Sequence, residues 1–528
     1  MDLTKILTIA FSILLHGVAA GSASQNYLQP CRLYVVKYTC MRDDGNCPNT
    51  TLDCEFEDNL YPVKGVSADW IEEQVSTERI VSGESELIVS DYQISVGEID
   101  IPESSLGTLD IKTDRRRRRL GPSKTGPSTV LVVRVKATDG APNYSERELS
   151  DYFFGTGSGT SLLSQMDACS SGQTTIVPAV HSAMSFPGVV EVDIGITLDG
   201  NSGDDTVSVI RAAAISELSR MGVPFGDYDS VNFVIQTCSP DRCPFGGYAA
   251  VNGWYSLYRG FYATMSSVMI HTYGHQMGLY GSDALRNDKL APDNDFTCSM
   301  GKALYEVDAH MCYNAVKHID LGWFSSGDSL VAVEDLPQVY EIIGYAEWDS
   351  GAEGVPVSLT IDSKIVVSFN RAIGVNKDTA EGPDQVIVHD AEYQSNGNSL
   401  LVAVLATGEE HEYIYKGTPT GYIVKVCEIG GDTSVIATRA LVLVYDSSAG
   451  ESVCPSESPS KMPSDLPSKM PSDKPSKMPS DKPSDQPSKI PSDQPSKMPS
   501  DQPSKMPSDQ PSKIPSDQPS KMPSDHPS

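Results

Sequence analysis

The sequence predicts an α+β domain, then an all-β, sandwich-like domain, then a disordered tail of Pro-Ser repeats. Three observations carry this. Strand-like runs at 129–137 (TVLVVRVKA) and 231–237 (VNFVIQT) flank residues 208–221 (SVIRAAAISELSRM), which have helical periodicity and a stop at Gly222. Residues 330–450 then hold six short aliphatic and β-branched runs, at 358–361, 365–369, 385–389, 400–405, 421–426 and 440–445. Gly, Asn and Asp clusters such as Ser395-Asn396-Gly397-Asn398 separate them, a spacing that suggests a sandwich. From Pro455 to Ser528 every fourth residue is proline, which removes backbone donors and blocks helix, and no aromatic residue is present. That segment reads as an extended, polyproline-rich stalk.

Charge narrows the function. The 528 residues carry 40 Lys and Arg against 70 Asp and Glu, and ten of each fall in the last 74. The whole deficit of 30 therefore sits in residues 1–454, a poor match for nucleic acid, whose binders need basic patches. Only the N-terminus has a long apolar run, so a multi-span membrane protein is excluded.

Residues 1–20 read as a secretory signal. Lys5 precedes the apolar run 6–15, and Val18 and Ala20 fit the small positions of a cleavage site, with Ala23 as a second cut. The run is too short to span a bilayer, so no membrane span remains after its removal. Eleven cysteines allow at most five disulfides and leave one thiol, which suits an oxidising compartment. Cys31, Cys40, Cys47 and Cys54 cluster, and four cysteines permit three pairings. Asn49 and Asn143 head glycosylation sequons. These signs place the protein outside the cell, secreted or associated with the cell wall.

Residues 115–119 are five consecutive arginines, which repel one another and must be exposed. In a secreted chain such a site suits a processing convertase cutting after Arg119, which makes 21–119 a cysteine-containing pro-segment. The remaining divisions are a peptidase-like domain at 120–330, the β-rich domain at 331–454 and the repeat tail at 455–528. The tail either attaches the protein to a matrix or wall, or is an inert linker.

The segment with chemistry is 265–283, MSSVMIHTYGHQMGLYGSD. On a helix His271 and His275 project from one face, a spacing that lets two imidazoles reach one zinc ion. Gly278 allows a sharp turn after the helix, and Cys298-Ser299-Met300-Gly301 offers a tight turn holding a methionine. Cys238 and Cys243 can close a small loop, and Cys298 and Cys312 can be bridged across the methionine turn.

These pieces resemble the gametolysin family of secreted algal metallopeptidases, within the metzincin class. That class is marked by His-Glu-x-x-His-x-x-Gly-x-x-His and a later methionine turn. The matching residues are VNGW at 251–254, His271, Gly274, His275, Gly278, Leu279, the FTCSMG turn at 296–301 and MCYNAVKHIDLGW at 311–323. Residues 367–386, with FNRAIGVN and EGPDQV, resemble the region that follows the family's peptidase domain. The resemblance implies a metzincin-like fold, a zinc cofactor, a structural role for Met300, and extracellular-matrix or cell-wall proteins as substrates or partners.

Two departures bear on activity. Thr272 stands where the class has its glutamate, and Gly281 where it has its third histidine. The glutamate is the general base that takes a proton from zinc-bound water, and such assistance is worth about 10²–10⁴-fold. A threonine hydroxyl cannot relay that proton. Asp283 is the candidate substitute ligand, with His310 and His318 behind it. The sequence thus predicts a family homologue with impaired or lost proteolysis that binds or scaffolds. The alternatives are an active zinc endopeptidase and a structural wall protein anchored by its tail.

Overall fold

In the computed structural model the described residues lie between 30 and 454, leaving out 41–46, 48, 57–58, 89–92, 96–97, 114–123, 156–158, 199–203, 239–242, 302–308, 326–328, 351–353, 393–396, 416–417, 431–437 and 450–452. The signal at 1–20, the processing site at Arg119 and the tail at 455–528 lie outside the described residues. What is described is a mixture of α and β in which sheets dominate.

The strand Gly126–Lys136 lies at the centre of the 120–330 region. Thr174–Pro178, Val189–Asp193 and Ser230–Ile235 pair with it in parallel, and Tyr255–Arg259 pairs in parallel with Ser230–Ile235. Both faces of this sheet are covered, which is why VLVV reads as a continuous apolar run rather than an alternating one. Val130 and Val132 face the helices Glu146–Phe154, Leu162–Cys169 and Ser266–Gln276. Leu131 and Val133 face Ile210, Ala214 and Leu218 of the helix Asp204–Arg220. That helix ends as its residues predict, with Gly222 at φ +72.

Phe245–Ala250 runs antiparallel to Tyr255–Arg259. Beyond it the sheet continues into the N-terminal region, because Cys31–Cys40 pairs antiparallel with Phe245–Ala250, with Lys37 opposite Ala249 and Thr39 opposite Gly247. Thr50–Phe56 and Asn59–Lys64 extend the same sheet. The seam is tied by buried polar contacts as well as by the ladder. Asp53 Oδ2 sits 2.8 Å from Arg211 Nη2 and accepts from Tyr255 Oη at 2.5 Å, while Trp254 Nε1 donates to Glu55 at 3.1 Å. Both charges of the Asp53–Arg211 pair are almost fully enclosed, so removing either one would strand the other.

The predicted β-rich strands are all present as Ser358–Ile361, Ile365–Asn370, Gln385–Asp390, Ser399–Leu405, Thr418–Gly430 and Arg439–Asp446. They belong to a seven-stranded and a four-stranded sheet whose facing side chains share one core, including Val367, Phe369, Val388, Val424 and Val442. Two strands of the larger sheet come from far upstream: Ser282–Arg286 pairs in parallel with Ser399–Leu405 and antiparallel with Lys289–Ala291.

All eleven cysteines are described, as five disulfides and one thiol. Cys31–Cys54 and Cys40–Cys47 resolve the N-terminal cluster, and Cys238–Cys243 closes the expected small loop. The expected Cys298–Cys312 bridge does not form. Cys312 instead bonds Cys169 on the neighbouring helix, while buried Cys298 accepts from the backbone N–H groups of Met300 and Asn314. Among the described residues no helix is long and apolar enough to cross a membrane.

A buried polar joint links the sandwich to the preceding α/β region. Asp295 Oδ2 meets His389 Nε2 at 3.0 Å and accepts from Ser282 Oγ at 2.7 Å and Asn314 Nδ2 at 3.0 Å, and Ser399 Oγ completes the group. Burial alone would raise the Asp295 carboxyl. The attraction and hydrogen bond of the adjacent His389, with the donors of Thr297 and Ser282, overcome it and hold the group at about 2. A depressed carboxylate contributes stability that is fully present above its unfolded value of 3.8 and fades as pH falls towards about 2. Asp295→Asn should therefore flatten the loss of stability between those limits in urea unfolding. A variant that follows the parent's acid profile would show that this joint contributes nothing.

Candidate functional site

The helix Ser266–Gln276 is buried along every face, between the sheet on one side and residues 298–300 and 312–324 on the other. Its C-terminus turns on Gly278 at φ +95, a conformation that favours glycine. The turn brings the Leu279 N–H back to the Gly274 carbonyl at 2.9 Å. The VNGW motif holds the same end, since Asn252, itself at φ +49, donates its N–H to the His275 carbonyl at 2.9 Å.

This scaffold fixes both histidines. The Nδ1 of His271 lies 2.8 Å from the Ser299 carbonyl, and the Nδ1 of His275 lies 2.8 Å from the Leu279 carbonyl. A carbonyl only accepts, so each Nδ1 carries the proton and each neutral ring presents a bare Nε2. The two Nε2 atoms face each other at 3.0 Å inside the protein. Two lone pairs at that distance repel unless a proton or a metal ion lies between them. Two imidazole nitrogens bound to one tetrahedral zinc, each at about 2.0–2.1 Å, stand roughly 3.3 Å apart. The pair therefore fits a shared metal ion, and carbonyl-anchored Nδ1 groups are the usual outer support of such ligands.

Burial also holds both rings in the neutral, metal-binding form. It depresses His271 below the usual histidine range, against the opposing effects of the Ser299 carbonyl and the Asp293 charge. His275 is pushed well below that range by burial and then by the neighbouring His271, with Lys37 and Lys317 adding to the effect. Lys37 belongs to the Cys31–Cys40 strand, so the charge of the N-terminal region is felt at His275.

Thr272 lies on the same helix with its side chain buried. Its Oγ1 donates to the Val268 carbonyl one turn back at 2.6 Å. The hydroxyl is committed to the helix backbone and offers no base. Asp283 is engaged as well: Oδ1 accepts from the Asp293 N–H at 2.8 Å, and Oδ2 lies 3.5 Å from Asn398 Nδ2. Burial, reinforced by the Asp293 charge, raises its carboxyl to about 6.

The other two candidate histidines have different surroundings. His310 bonds Thr160 Oγ1 at 2.8 Å and Asp378 at 3.2 Å. His318 is packed among Tyr313, Trp323, Phe324 and Tyr345, and burial drops it to about 3. Among the described residues no three His, Cys, Asp or Glu side chains are gathered closely enough to hold a metal ion as they stand. Asn49 and Asn143 are both exposed.

The residue that sequence reasoning passed over is Asp293. A Cβ placed on Gly281 would lie 2.3 Å from Asp293 Oδ1, so this carboxylate stands in the space a side chain at 281 would enter. Its only sequence signal is an Asp in a Pro-Asp-Asn-Asp turn, which spacing alone cannot tie to position 281.

Met300 lies beneath the helix. A Cβ at Gly274 would fall 2.4 Å from its Sδ and 3.1 Å from Tyr313 Oη. Glycine at 274 is thus what lets the methionine turn approach and deliver the Ser299 carbonyl to His271. Helix propensity alone would make Gly274→Ala stabilising by about 1 kcal/mol. Overpacking against Met300 should reverse the sign and destabilise by about 1–3 kcal/mol in urea unfolding, with Met300→Ala recovering part of the loss. A stabilised Gly274→Ala protein would mean that Met300 is not seated there.

No family model matches the chain, and no curated protein matches it. Among solved structures, wild-type OgpA from Akkermansia muciniphila is 12% identical, over 54% of this chain and 94% of that one, at a TM-score of 0.26. A second crystal form is 14% identical, over 54% and 93%, at 0.27. Catalytically inactive OgpA in complex with an O-glycopeptide substrate, glycodrosocin, is 12% identical, over 54% and 94%, at 0.27. Scores at this level assign neither family nor activity to the chain.

Proposed function

We propose that this chain is a secreted homologue of the gametolysin-type metallopeptidases, with a metzincin-like domain that has lost proteolysis. In this reading it works by binding or scaffolding among extracellular-matrix or cell-wall proteins. The observation that carries the reading is the hydrogen bond from Thr272 Oγ1 to the Val268 carbonyl. A metal ion bound at His271 and His275 would polarise a carbonyl and acidify a coordinated water. Hydrolysis would still need a group to take the water's proton and return it to the leaving amine, and Thr272 supplies none.

A second observation bears on how a partner would reach this region. An extended peptide commonly binds a sheet by adding a strand to an open edge. Here the edge next to the helix, Phe245–Ala250, is already paired along its length with Cys31–Cys40. The pro-segment reading of 21–119 gives that pairing a purpose, because release after cleavage at Arg119 would uncover the edge for a protein partner. Five disulfides agree with an extracellular setting.

The test is digestion of casein by the zinc-supplemented full chain, uncut and after cleavage within 115–119. No chelator-sensitive cleavage is expected from either form. Chelator-sensitive cleavage by the cut form would establish an active endopeptidase and end the scaffold reading. Thr272→Glu with Gly281→His should not restore activity unless Asp293 is also replaced by glycine, because the new side chain at 281 meets its carboxylate.

A further inference from the structure

We propose that the cavity between the N-terminal strands and the helix Asp204–Arg220 is a binding site for one neutral sugar residue. The cavity holds about 260 Å³, just below the roughly 300–1,000 Å³ of pockets for drug-sized ligands. Its walls come from both sides of the 115–119 run, with Tyr38, Thr51 and Asp53 on one side and Ser208, Arg211 and Tyr248 on the other. None of its lining residues belongs to the Ser266–Gln276 helix or to the methionine turn, so it is a separate site from the histidine pair. Binding there does not rest on the scaffold reading, although a bound sugar would touch both sides and oppose release of the N-terminal region.

Strand and helix periodicity put these groups together. Thr51 and Asp53 are two apart on one strand, opposite Val36 and Tyr34, and so share the face that packs on the helix. Ser208 and Arg211 are three apart on that helix and project from one side of it. The charged pair between them is more than nine-tenths buried on both partners, yet it is under-bonded. Arg211 Nη2 lies 2.8 Å from Asp53 Oδ2 at an angle that makes no hydrogen bond, and it has no other partner. Asp53 spends Oδ2 on Arg211 and Tyr255, and among the described residues no group donates to its Oδ1. Buried polar atoms left in this state are costly and call for a partner.

The pair also decides the class of ligand. Its charges cancel, so the cavity selects no ion: an anion would compete with Asp53 for Arg211 and strand a buried carboxylate, and a cation would do the same to the guanidinium. A hydroxyl donates and accepts at once, so two neighbouring hydroxyls on a sugar ring answer both the unused guanidinium N–H and the unused carboxylate oxygen. The hydroxyl-bearing side chains of Thr51 and Ser208 add to the polar lining. The Tyr38 and Tyr248 rings, with centroids 5.1 Å apart, supply the apolar surface that the C–H face of a sugar needs.

The experiment is calorimetric titration of the full chain with glucose, galactose, mannose and N-acetylglucosamine, with acetate and glycerol as controls. Each sugar is used free and as its methyl glycoside, so that a free sugar and a chain-borne residue are told apart. Ser208→Leu fills the cavity, and Arg211→Lys keeps a charge beside Asp53 without the planar fork. Ser216→Leu, exposed on the same helix and outside the cavity, is the control variant. Urea unfolding without sugar separates lost binding from lost folding. At least one sugar should bind the parent with a Kd of about 1 mM or tighter, and acetate and glycerol should not. Ser208→Leu should abolish that binding, Arg211→Lys should weaken it about 10-fold or more, and Ser216→Leu should bind as the parent does. Sugar at about ten times its Kd should raise the urea midpoint of the parent and not that of Ser208→Leu. The proposal is overturned if no sugar binds the folded parent at about 10 mM, or if acetate binds as well as the best sugar. It is equally overturned if folded Ser208→Leu binds as the parent does, since the sugar would then sit elsewhere.

Discussion

Two unprotonated imidazole nitrogens facing each other at 3.0 Å inside the protein are the constraint around which this site is organised. The arrangement is unfavourable by itself and persists because packing holds it in place. The Ser299 and Leu279 carbonyls pin the two Nδ1 protons, and the turn at Gly278 delivers one of those carbonyls. The close approach of Met300 to Gly274 delivers the other. Such preorganisation is what a metal site requires, since ligands must be held apart from their own best contacts with one another.

The same helix carries a side chain that cannot do the chemistry. Thr272 sits between the two histidines in sequence and turns its hydroxyl back into the helix backbone. Holding an ion and moving a proton are separate tasks, assigned to different residues, so one can be lost while the other remains. The neighbouring edge strand makes the same point at a larger scale. Cys31–Cys40 covers it, Lys37 projects its charge towards His275, and the buried Asp53–Arg211 pair with the Tyr255 and Trp254 bonds ties the covering region down. A site that lacks a base is better suited to holding something than to cutting it.

Local chemistry was the part most legible in the sequence. The spacing of His271 and His275, the need for glycine at 278, the Cys238–Cys243 loop and the six β-rich runs all follow from neighbours a few residues apart. What the sequence hid was long-range. Nothing in 245–250 announces that 31–40 will pair with it, because an edge strand is defined by what lies beside it. The Cys169–Cys312 bridge spans 143 positions, and Cys298 looked the nearer partner only along the chain. Gly281 read simply as a missing ligand; that the Asp293 carboxylate stands in the space a side chain there would enter depends on how the turn folds back, which periodicity cannot reach. Ser282–Arg286 likewise reads as the end of the metal motif, yet its strand partner lies more than a hundred residues on.

The claim that the facing imidazoles exist to share a metal ion is tested most directly by X-ray absorption at the zinc edge of the zinc-loaded full chain. The account predicts two imidazole nitrogens at about 2.0–2.1 Å with the remaining donors oxygen. A first shell without imidazole scattering, or one containing sulfur at about 2.3 Å, would contradict it.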